Sequence, residues 1–494
     1  MKRGNILAFL RTAGLLLAFS FAHSQSAQAE EFPAGKIIEK VVCSADASFS
    51  YSLYLPSSYD AKKKWPVLFA MDPAARGLVP VEHFKDAAET YGYILAGSNE
   101  SRNGPWAPSA KAILAMLNDV VGRFATDQQR VYTAGLSGGA RVACRLGSLL
   151  KGQIAGVIAC GAGFPAEMAP SEAPPFVLFG TAGVEDFNYV EMKQLDRALD
   201  LLGAPHRVEF FDGGHGWAAP ELCTRAIEWM ELQAMKSGLR QRSEPLIDSL
   251  FKKDVERARA LEAAGSIYQA YLGYSAIARE FKGLRDVAEY ERKSASLKDS
   301  KEVRQALKQA KDQEAEERRL ATELYRSRAK LAGAALSSEN SDAAQIDSSY
   351  APPSDGVSRS LIVGDLRRTL ADLKKRSEAA ESTPDRALAR RLLNQYMASA
   401  YESSVSLLDR KLYTRAVAVL ELDAEAMPDN TRVLFRLACA YSLKGDKKKA
   451  IEALRKSVQK GFSNTAELES NKSLDAIREE AAYKKIVEEL KAKK

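Results

Sequence analysis

Histidine, paired cysteine and long apolar segments are scarce in this sequence. Among 494 residues there are 4 His and 5 Cys, and no two cysteines form a CxxC pair. A zinc site therefore has no support, and we expect no metal. Beyond the N-terminus no segment reaches the roughly 18 apolar residues of a spanning helix, so we expect no membrane span in the mature chain.

A large excess of charge of either sign is missing as well. The chain has 71 Lys and Arg against 64 Asp and Glu, which gives a formal net charge of +7. That balance is too weak to indicate a nucleic-acid partner. The hydrophobic fraction of 46% is typical of a globular chain, and the length predicts about two or three domains.

Residues 1–29 have the pattern of a removable export signal. Three basic residues precede an apolar stretch from Thr12 to Ala22, and Ala27-Gln28-Ala29 is a small-x-small cleavage site. The apolar stretch is too short to cross a membrane, although an uncleaved anchor is the alternative. We expect cleavage near Ala29 and an exported protein, either periplasmic or secreted.

Export would permit disulfide bonds. An odd number of cysteines leaves at least one thiol free or paired between chains. A Cys43–Cys223 bridge is conceivable, whereas Cys144 and Cys160 are at least as consistent with buried apolar thiols.

Residues 36–236 alternate short apolar runs with helical patterns. Eight runs predict strands: Ile37–Cys43, Phe49–Leu55, Pro66–Met71, Tyr93–Gly97, Arg130–Ala134, Ile154–Cys160, Phe176–Phe179 and Val208–Phe211. The later runs are continuously apolar, as in strands covered on both faces, whereas the first two alternate as antiparallel edge strands do. The pattern predicts a mostly parallel sheet with helices on both sides.

The remaining residues have the composition of helices. We predict a helical region over 239–333, a Ser-, Asp- and Pro-rich linker over 334–358 and a helical domain over 359–494. In the last domain a shift of 34 residues, the length of a tetratricopeptide repeat, maps Ala450 onto Ala416. Such a region could take a protein partner or self-associate; a generic helical bundle is the alternative.

A nucleophile is indicated where a predicted strand passes into a predicted helix. Gly135–Gly139 reads GLSGG and follows the run Arg130–Ala134. A GxSxG turn between strand and helix holds its Ser in strained geometry at the carboxyl edge of a sheet, and flanking glycines avoid clashes. The sequence therefore predicts Ser137 as a nucleophile.

A serine nucleophile needs a base, and the base is usually histidine. His23 lies in the signal, His83 precedes the Ser in the first helix, and His206 lies at the amino end of the last predicted strand. His215 follows the carboxyl end of that strand in a glycine-rich loop, so it is the predicted base by position and by elimination. A structural loop histidine is the alternative.

The third member should be an acid that orients the imidazole. It should lie between Ser137 and His215 in the chain, after the run Phe176–Phe179. We choose Asp186 over Glu185, although either could simply cap the next helix.

The oxyanion of the reaction needs two backbone N–H donors about 3 Å away. We predict Gly138 as one donor and Ala74, in the loop after the third strand, as the other, with Asp72 as the next choice. Pro73 has no N–H and is excluded.

These residues resemble those of the α/β-hydrolase superfamily. The GLSGG turn, the acid after the next-to-last strand and the GGHGW loop are similar to the corresponding segments of dienelactone hydrolases, feruloyl esterases and polyhydroxybutyrate-depolymerase-like esterases. The resemblance implies an α/β-hydrolase domain over 30–238 and hydrolysis through an acyl-enzyme, with Ser137, His215 and Asp186 as the triad. In two places the chain departs from the family. Met71-Asp72-Pro73 stands where the family often has His-Gly. Gly183, which has no carboxylate, stands where the family more commonly has the acid.

We therefore predict an exported, carboxylesterase-like serine hydrolase without a cofactor, acting on a small-molecule or polymer-linked ester. Two alternatives remain. One is a non-catalytic protein of the same fold that binds partners through its tetratricopeptide-like region, and the other is a serine peptidase, because this triad serves both kinds of bond.

Overall fold

The computed structural model describes residues 32–337, 356–381 and 383–492. The predicted signal peptide and its cleavage site lie outside these residues, as does most of the predicted linker. The chain forms two compact units that divide between Ala310 and Lys311. None of the described helices is long and apolar enough to cross a membrane.

The first unit contains an eight-stranded sheet. Its strands are β1 (Ile37–Val42), β2 (Ser50–Tyr54), β3 (Trp65–Met71), β4 (Ile94–Ser98), β5 (Thr126–Leu136), β6 (Gly156–Cys160), β7 (Val177–Gly183) and β8 (His206–Phe211). They lie in the order β1-β2-β4-β3-β5-β6-β7-β8. β2 is antiparallel to both neighbours, and β3 to β8 run parallel, so one sheet edge collects the carboxyl ends of six strands.

The prediction that β2 is an edge strand is wrong. It lies between β1 and β4, and all five of its residues are buried. Its polar residues tolerate burial because their hydroxyls are paired: Ser50 donates to Glu100 at 2.8 Å and Ser52 to the Glu39 carbonyl at 2.7 Å.

Helices cover both faces of this sheet. They are α1 (Leu78–Tyr91), α2 (Trp106–Arg123), α3 (Gly138–Leu149), α4 (Tyr189–Leu201) and α5 (Pro220–Lys236). α2, α3 and α4 pack with Phe69 of β3, whereas α1 and α5 pack with its neighbours Leu68 and Ala70. Successive strand residues point to opposite faces, so the two clusters lie on opposite sides of the sheet. The predicted α/β-hydrolase fold is confirmed.

The sheet also determines which cysteines could form a disulfide bond. Cys43 packs in the cluster on one face and Cys223 in the cluster on the other. The suggested bridge between them is therefore wrong, and all five cysteines, each within the described residues, are buried free thiols. Burial raises the pKa of Cys160 to about 12, which leaves its thiol protonated and unreactive.

Three further helices belong to the first unit: α6 (Glu244–Ala263), α7 (Ile267–Glu280) and α8 (Ala288–Lys298). Their apolar side chains share a cluster with Leu232 and Met235 of α5. In addition, Arg207 of β8 forms ion pairs with Glu280 at 2.9 Å and with Asp254 at 3.3 Å. Apolar packing and buried ion pairs together hold these helices on the β8 side of the sheet.

The described part of the second unit is entirely helical, as predicted. Its helices are the later part of α9 (Lys301–Ser337), α10 (Gly356–Ser377), α11 (Pro384–Asp409), α12 (Tyr413–Ala426), α13 (Thr431–Lys444), α14 (Lys447–Gln459), α15 (Thr465–Ser470) and α16 (Ala481–Ala492).

Two helix hairpins in this unit repeat the same pattern. Ala416 in α12 and Ala450 in α14 are both fully buried. The turn that precedes each of these helices contains a residue with positive φ, Lys411 at 58° and Gly445 at 90°, one repeat period apart. This periodic geometry agrees with the repeat spacing, and the assignment to tetratricopeptide repeats stays a prediction.

Candidate active site

Ser137 lies at the turn between β5 and α3. β5 ends at Leu136 and α3 begins at Gly138. Ser137 has φ 54° and ψ −120°, which is unusual for a side-chain-bearing residue and costs about 1–3 kcal/mol. Its N–H donates to the Cys160 carbonyl at 2.8 Å, so β6 anchors the turn. The turn therefore presents Ser137 at the carboxyl edge of the sheet.

The glycines on either side of Ser137 are required by close backbone packing. A Cβ at Gly135 would lie 2.1 Å from the Gly139 backbone, and a Cβ at Gly139 would lie 2.1 Å from the Met71 carbonyl oxygen. Neither contact is possible without moving the backbone, so the GxSxG pattern is a packing requirement of this turn.

His215 and Asp186 meet at the same sheet edge. His215 Nδ1 lies 2.8 Å from Asp186 Oδ1, and the Asp186 side chain is fully buried. The same oxygen accepts the Asn188 N–H at 2.8 Å, and the Phe187 ring lies 4.1 Å from the imidazole centroid. A proton on Nδ1, shared with the carboxylate, leaves Nε2 unprotonated and able to act as a base.

Gly161 connects Ser137 with this pair, and sequence reasoning missed it. It follows Cys160, the acceptor of the Ser137 N–H. A Cβ on Gly161 would lie 2.9 Å from Asp186 Oδ2 and 3.2 Å from His215 Nδ1. Its φ of 61° also favours glycine. The signal available in the sequence was a glycine directly after a predicted strand.

No side chain fits at Gly183, the position that the resemblance favours for the acid. A Cβ there would lie 2.2 Å from the Gly213 carbonyl oxygen. The His215 loop therefore packs against the end of β7 too closely for any side chain there. Asp186, three residues later, is held by its N–H, which donates to the Gly183 carbonyl at 3.0 Å.

The candidate oxyanion donors differ in availability. Gly138 is the first residue of α3, so its N–H has no acceptor within the helix. The Ala74 N–H, by contrast, donates to Asp72 Oδ1 at 2.9 Å. Ala74 would have to release that bond before it could donate to a substrate oxygen.

Asp72 ties the loop after β3 to the loop that carries His215. Its carboxylate accepts two hydrogen bonds from Arg76, both at 2.9 Å, and one from Trp217 Nε1 at 3.0 Å. Burial alone would raise the pKa of Asp72, but these bonds outweigh it and hold the pKa below its usual value. Asp72 therefore remains ionised and fixes Trp217, two residues beyond the imidazole.

The other described histidines have hydrogen-bond partners of their own. His206 begins β8 at the amino edge, where Nδ1 lies 2.8 Å from the Ala204 carbonyl oxygen. His83 Nδ1 lies 2.9 Å from the Ala218 carbonyl oxygen. Among the described residues, no group of three or more His, Cys, Asp or Glu is arranged to hold a metal ion.

No family model and no curated protein matches the chain. Solved structures similar to it include S-formylglutathione hydrolase from Staphylococcus aureus, with 15% identity, a TM-score of 0.33 and coverage of 40% of this chain and 98% of that chain. A ferulic acid esterase has 17% identity, a TM-score of 0.35 and coverage of 40% and 98%. Est1E from Butyrivibrio proteoclasticus has 12% identity, a TM-score of 0.32 and coverage of 40% and 100%.

Proposed function

We propose that this chain is a serine ester hydrolase with Ser137 as nucleophile, His215 as general base and Asp186 as the orienting acid. The observation that carries the proposal is the 2.8 Å contact between His215 Nδ1 and a fully buried Asp186. This pair lies at the sheet edge where Ser137 is held at φ 54°. A buried carboxylate, an imidazole and a strained serine are the three parts that acyl transfer needs.

In the proposed mechanism His215 Nε2 takes the Ser137 hydroxyl proton while Oγ attacks the ester carbonyl carbon. The Gly138 N–H stabilises the tetrahedral oxyanion. The intermediate collapses as His215 returns the proton to the leaving alcohol, which leaves an acyl-enzyme on Ser137. Water, deprotonated by His215, then attacks the acyl carbon, releases the carboxylic acid and restores the serine.

A fluorophosphonate probe on the full-length protein tests the nucleophile. We expect labelling of the parent protein and its loss in S137A. S148A is the matched control, because Ser148 lies near the end of α3 and donates to the Cys144 carbonyl at 2.9 Å, away from the turn. Equal labelling of S137A and the parent would refute the proposal.

Short-chain para-nitrophenyl esters and peptide para-nitroanilides then separate an esterase from a peptidase. We expect turnover of the esters and little turnover of the anilides. Faster cleavage of anilides than of esters would assign the chain to the peptidases instead.

We also propose that the mature chain is exported. The pattern of residues 1–29 supports this proposal. N-terminal sequencing of the protein recovered from outside the cytoplasm should begin directly after Ala29, and recovery only from the cytoplasm with residue 1 intact would refute export.

A further inference from the structure

A cleft of about 290 Å³ lies beside the candidate nucleophile. Gly138, the residue after Ser137, lines it, and the amide of Asn103 packs against Gly138. The other side chains that bear on binding are Arg102, Trp106, Arg141, Arg145 and Glu167. The cleft therefore combines three cationic side chains, one anionic side chain and an indole next to Gly138, the residue that follows Ser137.

Two of the three arginines already have carboxylate partners. Arg141 binds Glu191 through two hydrogen bonds, at 3.0 and 2.8 Å. Arg145 is ion-paired with Glu167, and its guanidinium lies 4.9 Å from the centre of the Trp106 ring. These pairs neutralise the charge of both arginines and fix the indole as one wall of the cleft.

Arg102 differs from both. Its side chain is exposed, and no carboxylate of residues 32–337, 356–381 or 383–492 forms an ion pair with it. Its backbone is nevertheless held in place, because the Ser109 hydroxyl donates to its carbonyl at 3.0 Å and accepts its N–H at 3.3 Å. The cleft thus retains one positive charge, on a residue whose main chain is anchored.

The same loop reaches the candidate oxyanion region. The N–H of Asn103 donates to the Pro73 carbonyl at 2.8 Å, and Arg102 pairs with Ala74 in a short antiparallel bridge. The position of Arg102 is therefore set relative to the loop that faces Ser137. A substrate group bound by Arg102 would therefore be held near this loop.

We propose that this cleft selects esters that carry an anionic group, a carboxylate being the simplest, through a charge-assisted hydrogen bond to Arg102. The proposal rests on the proposed ester hydrolysis and adds a substrate class to it. A planar guanidinium binds a carboxylate through two parallel N–H donors, and Trp106 offers an apolar wall for the chain between the carboxylate and the ester.

A pair of esters, one ending in a free carboxylate and the other in a methyl ester, provides the test. The mono-para-nitrophenyl ester of adipic acid carries a free carboxylate, and its methyl ester is the neutral counterpart. With release of nitrophenol corrected for uncatalysed hydrolysis, we expect the parent protein to prefer the anionic ester by about tenfold in kcat/KM, the order of one charge-assisted hydrogen bond. Added salt should reduce this preference.

Variants of Arg102 connect the preference to the cleft. R102Q should bring the ratio of the two kcat/KM values close to one, mainly by raising KM for the anionic ester, and R102K should retain part of it. R197Q is the control, because Arg197 is an exposed arginine of α4 outside the cleft, and it should keep the full ratio.

The outcomes separate the two proposals. Hydrolysis of the neutral ester without preference for the anionic one, or a preference that survives in R102Q, would overturn the anion site and leave the esterase intact. Hydrolysis of neither ester, together with no fluorophosphonate labelling, would overturn the esterase and the anion site with it.

Discussion

Two regions of this chain hold a side-chain-bearing residue at almost the same positive φ. Ser137 has φ 54° in the strand–helix turn of the first unit, and Lys411 has φ 58° in a helix–helix turn of the second. Gly445, the counterpart of Lys411 one repeat later, has open space around the position of a Cβ, whereas Gly139 beside Ser137 has none. A positive φ is therefore enclosed by close packing at the turn of Ser137, whereas the corresponding turn of the second unit leaves open space at Gly445.

This difference indicates which strain is coupled to chemistry. At Ser137 the backbone is fixed by β3 and β6, so relaxing it would move the nucleophile. At Lys411 the turn only joins two helices, so relaxing it should affect stability alone. All four tryptophans, Trp65, Trp106, Trp217 and Trp229, lie in the first unit, so tryptophan fluorescence reports on that unit and far-ultraviolet circular dichroism on both.

The largest expected effect concerns the proposed chemistry at Ser137 and leaves the backbone strain of its turn unchanged. D186N should lower kcat for a para-nitrophenyl ester by about 10³–10⁴-fold, because an amide cannot hold the imidazole in the required tautomer or stabilise its charged form. Steady-state kinetics at neutral pH measure the change.

The neighbouring Glu185 offers the matched control. E185Q removes a carboxylate one residue away and should leave kcat within a few-fold of the parent. A loss of activity in E185Q as large as that expected for D186N, with D186N still active, would transfer the role of orienting acid to Glu185.

The second effect concerns the packing that holds the turn of Ser137. G139A should destabilise the first unit by about 3 kcal/mol or more, because its Cβ would lie 2.1 Å from the Met71 carbonyl oxygen. Urea unfolding followed by tryptophan fluorescence measures this. G122A, at an exposed position near the end of α2 with open space around it, should instead stabilise by about 0.5–1 kcal/mol. Similar behaviour of the two variants would contradict the packing account.

Much of the sheet could be predicted from the sequence because the signals for a strand lie within the strand itself and its flanking turns. All eight predicted strands exist, since a run of apolar residues between turn residues specifies its own strand. The insertion of β4 between β2 and β3 is a tertiary pairing, which periodicity does not record. The same limit explains the two errors: the alternation in β2 could not show that buried partners satisfy Ser50 and Ser52, and spacing could not show that the sheet separates Cys43 from Cys223.

The same contrast between local signals and tertiary contacts applies to the candidate site. Ser137 and His215 could be proposed because each follows a strand at a recognisable glycine-rich turn, and chain order narrowed the orienting acid to Asp186 or Glu185 without deciding between them. Gly161 and the Asp72–Trp217 hydrogen bond were not accessible, because each joins loops from different strands. Nor could spacing reveal that the Ala74 N–H already donates to Asp72.

The third effect compares Lys411 directly with Ser137. K411G should stabilise the second unit by about 1 kcal/mol, because glycine adopts this backbone state without the penalty that a Cβ brings. The change should be visible in far-ultraviolet circular dichroism and absent from the tryptophan signal, and ester hydrolysis should be unchanged.

S137G and S137A are the corresponding pair in the first unit. Both remove the nucleophile and should be inactive, but S137G should be more stable than S137A by about 1 kcal/mol, since only glycine relieves the backbone strain. Equal stability of the two would mean that packing, rather than the backbone preference of residue 137, determines the energy of this turn.

The smallest effect concerns the amino edge of the same sheet, where the histidine is structural. His206 Nε2 lies 3.2 Å from Asp196 and 3.6 Å from Asp200. Burial lowers the pKa of His206, but Asp196 and the Ala204 carbonyl outweigh it, so the pKa in the folded chain lies above its ordinary value of 6.5. The charged imidazole therefore stabilises the fold fully below pH 6.5, and this contribution is lost as the pH rises through the raised pKa.

Removal of the imidazole should abolish that pH dependence. The difference in unfolding free energy between the parent and H206Q should decrease as the pH rises from 5 to 9, and D196N should reduce the same slope because it removes the nearer carboxylate. A difference that stays constant across this range would show that His206 is bound equally well in its neutral form. The imidazole at the amino edge would then contribute by packing alone, in contrast to the imidazole of His215 at the carboxyl edge, which the proposed mechanism requires to gain and lose a proton.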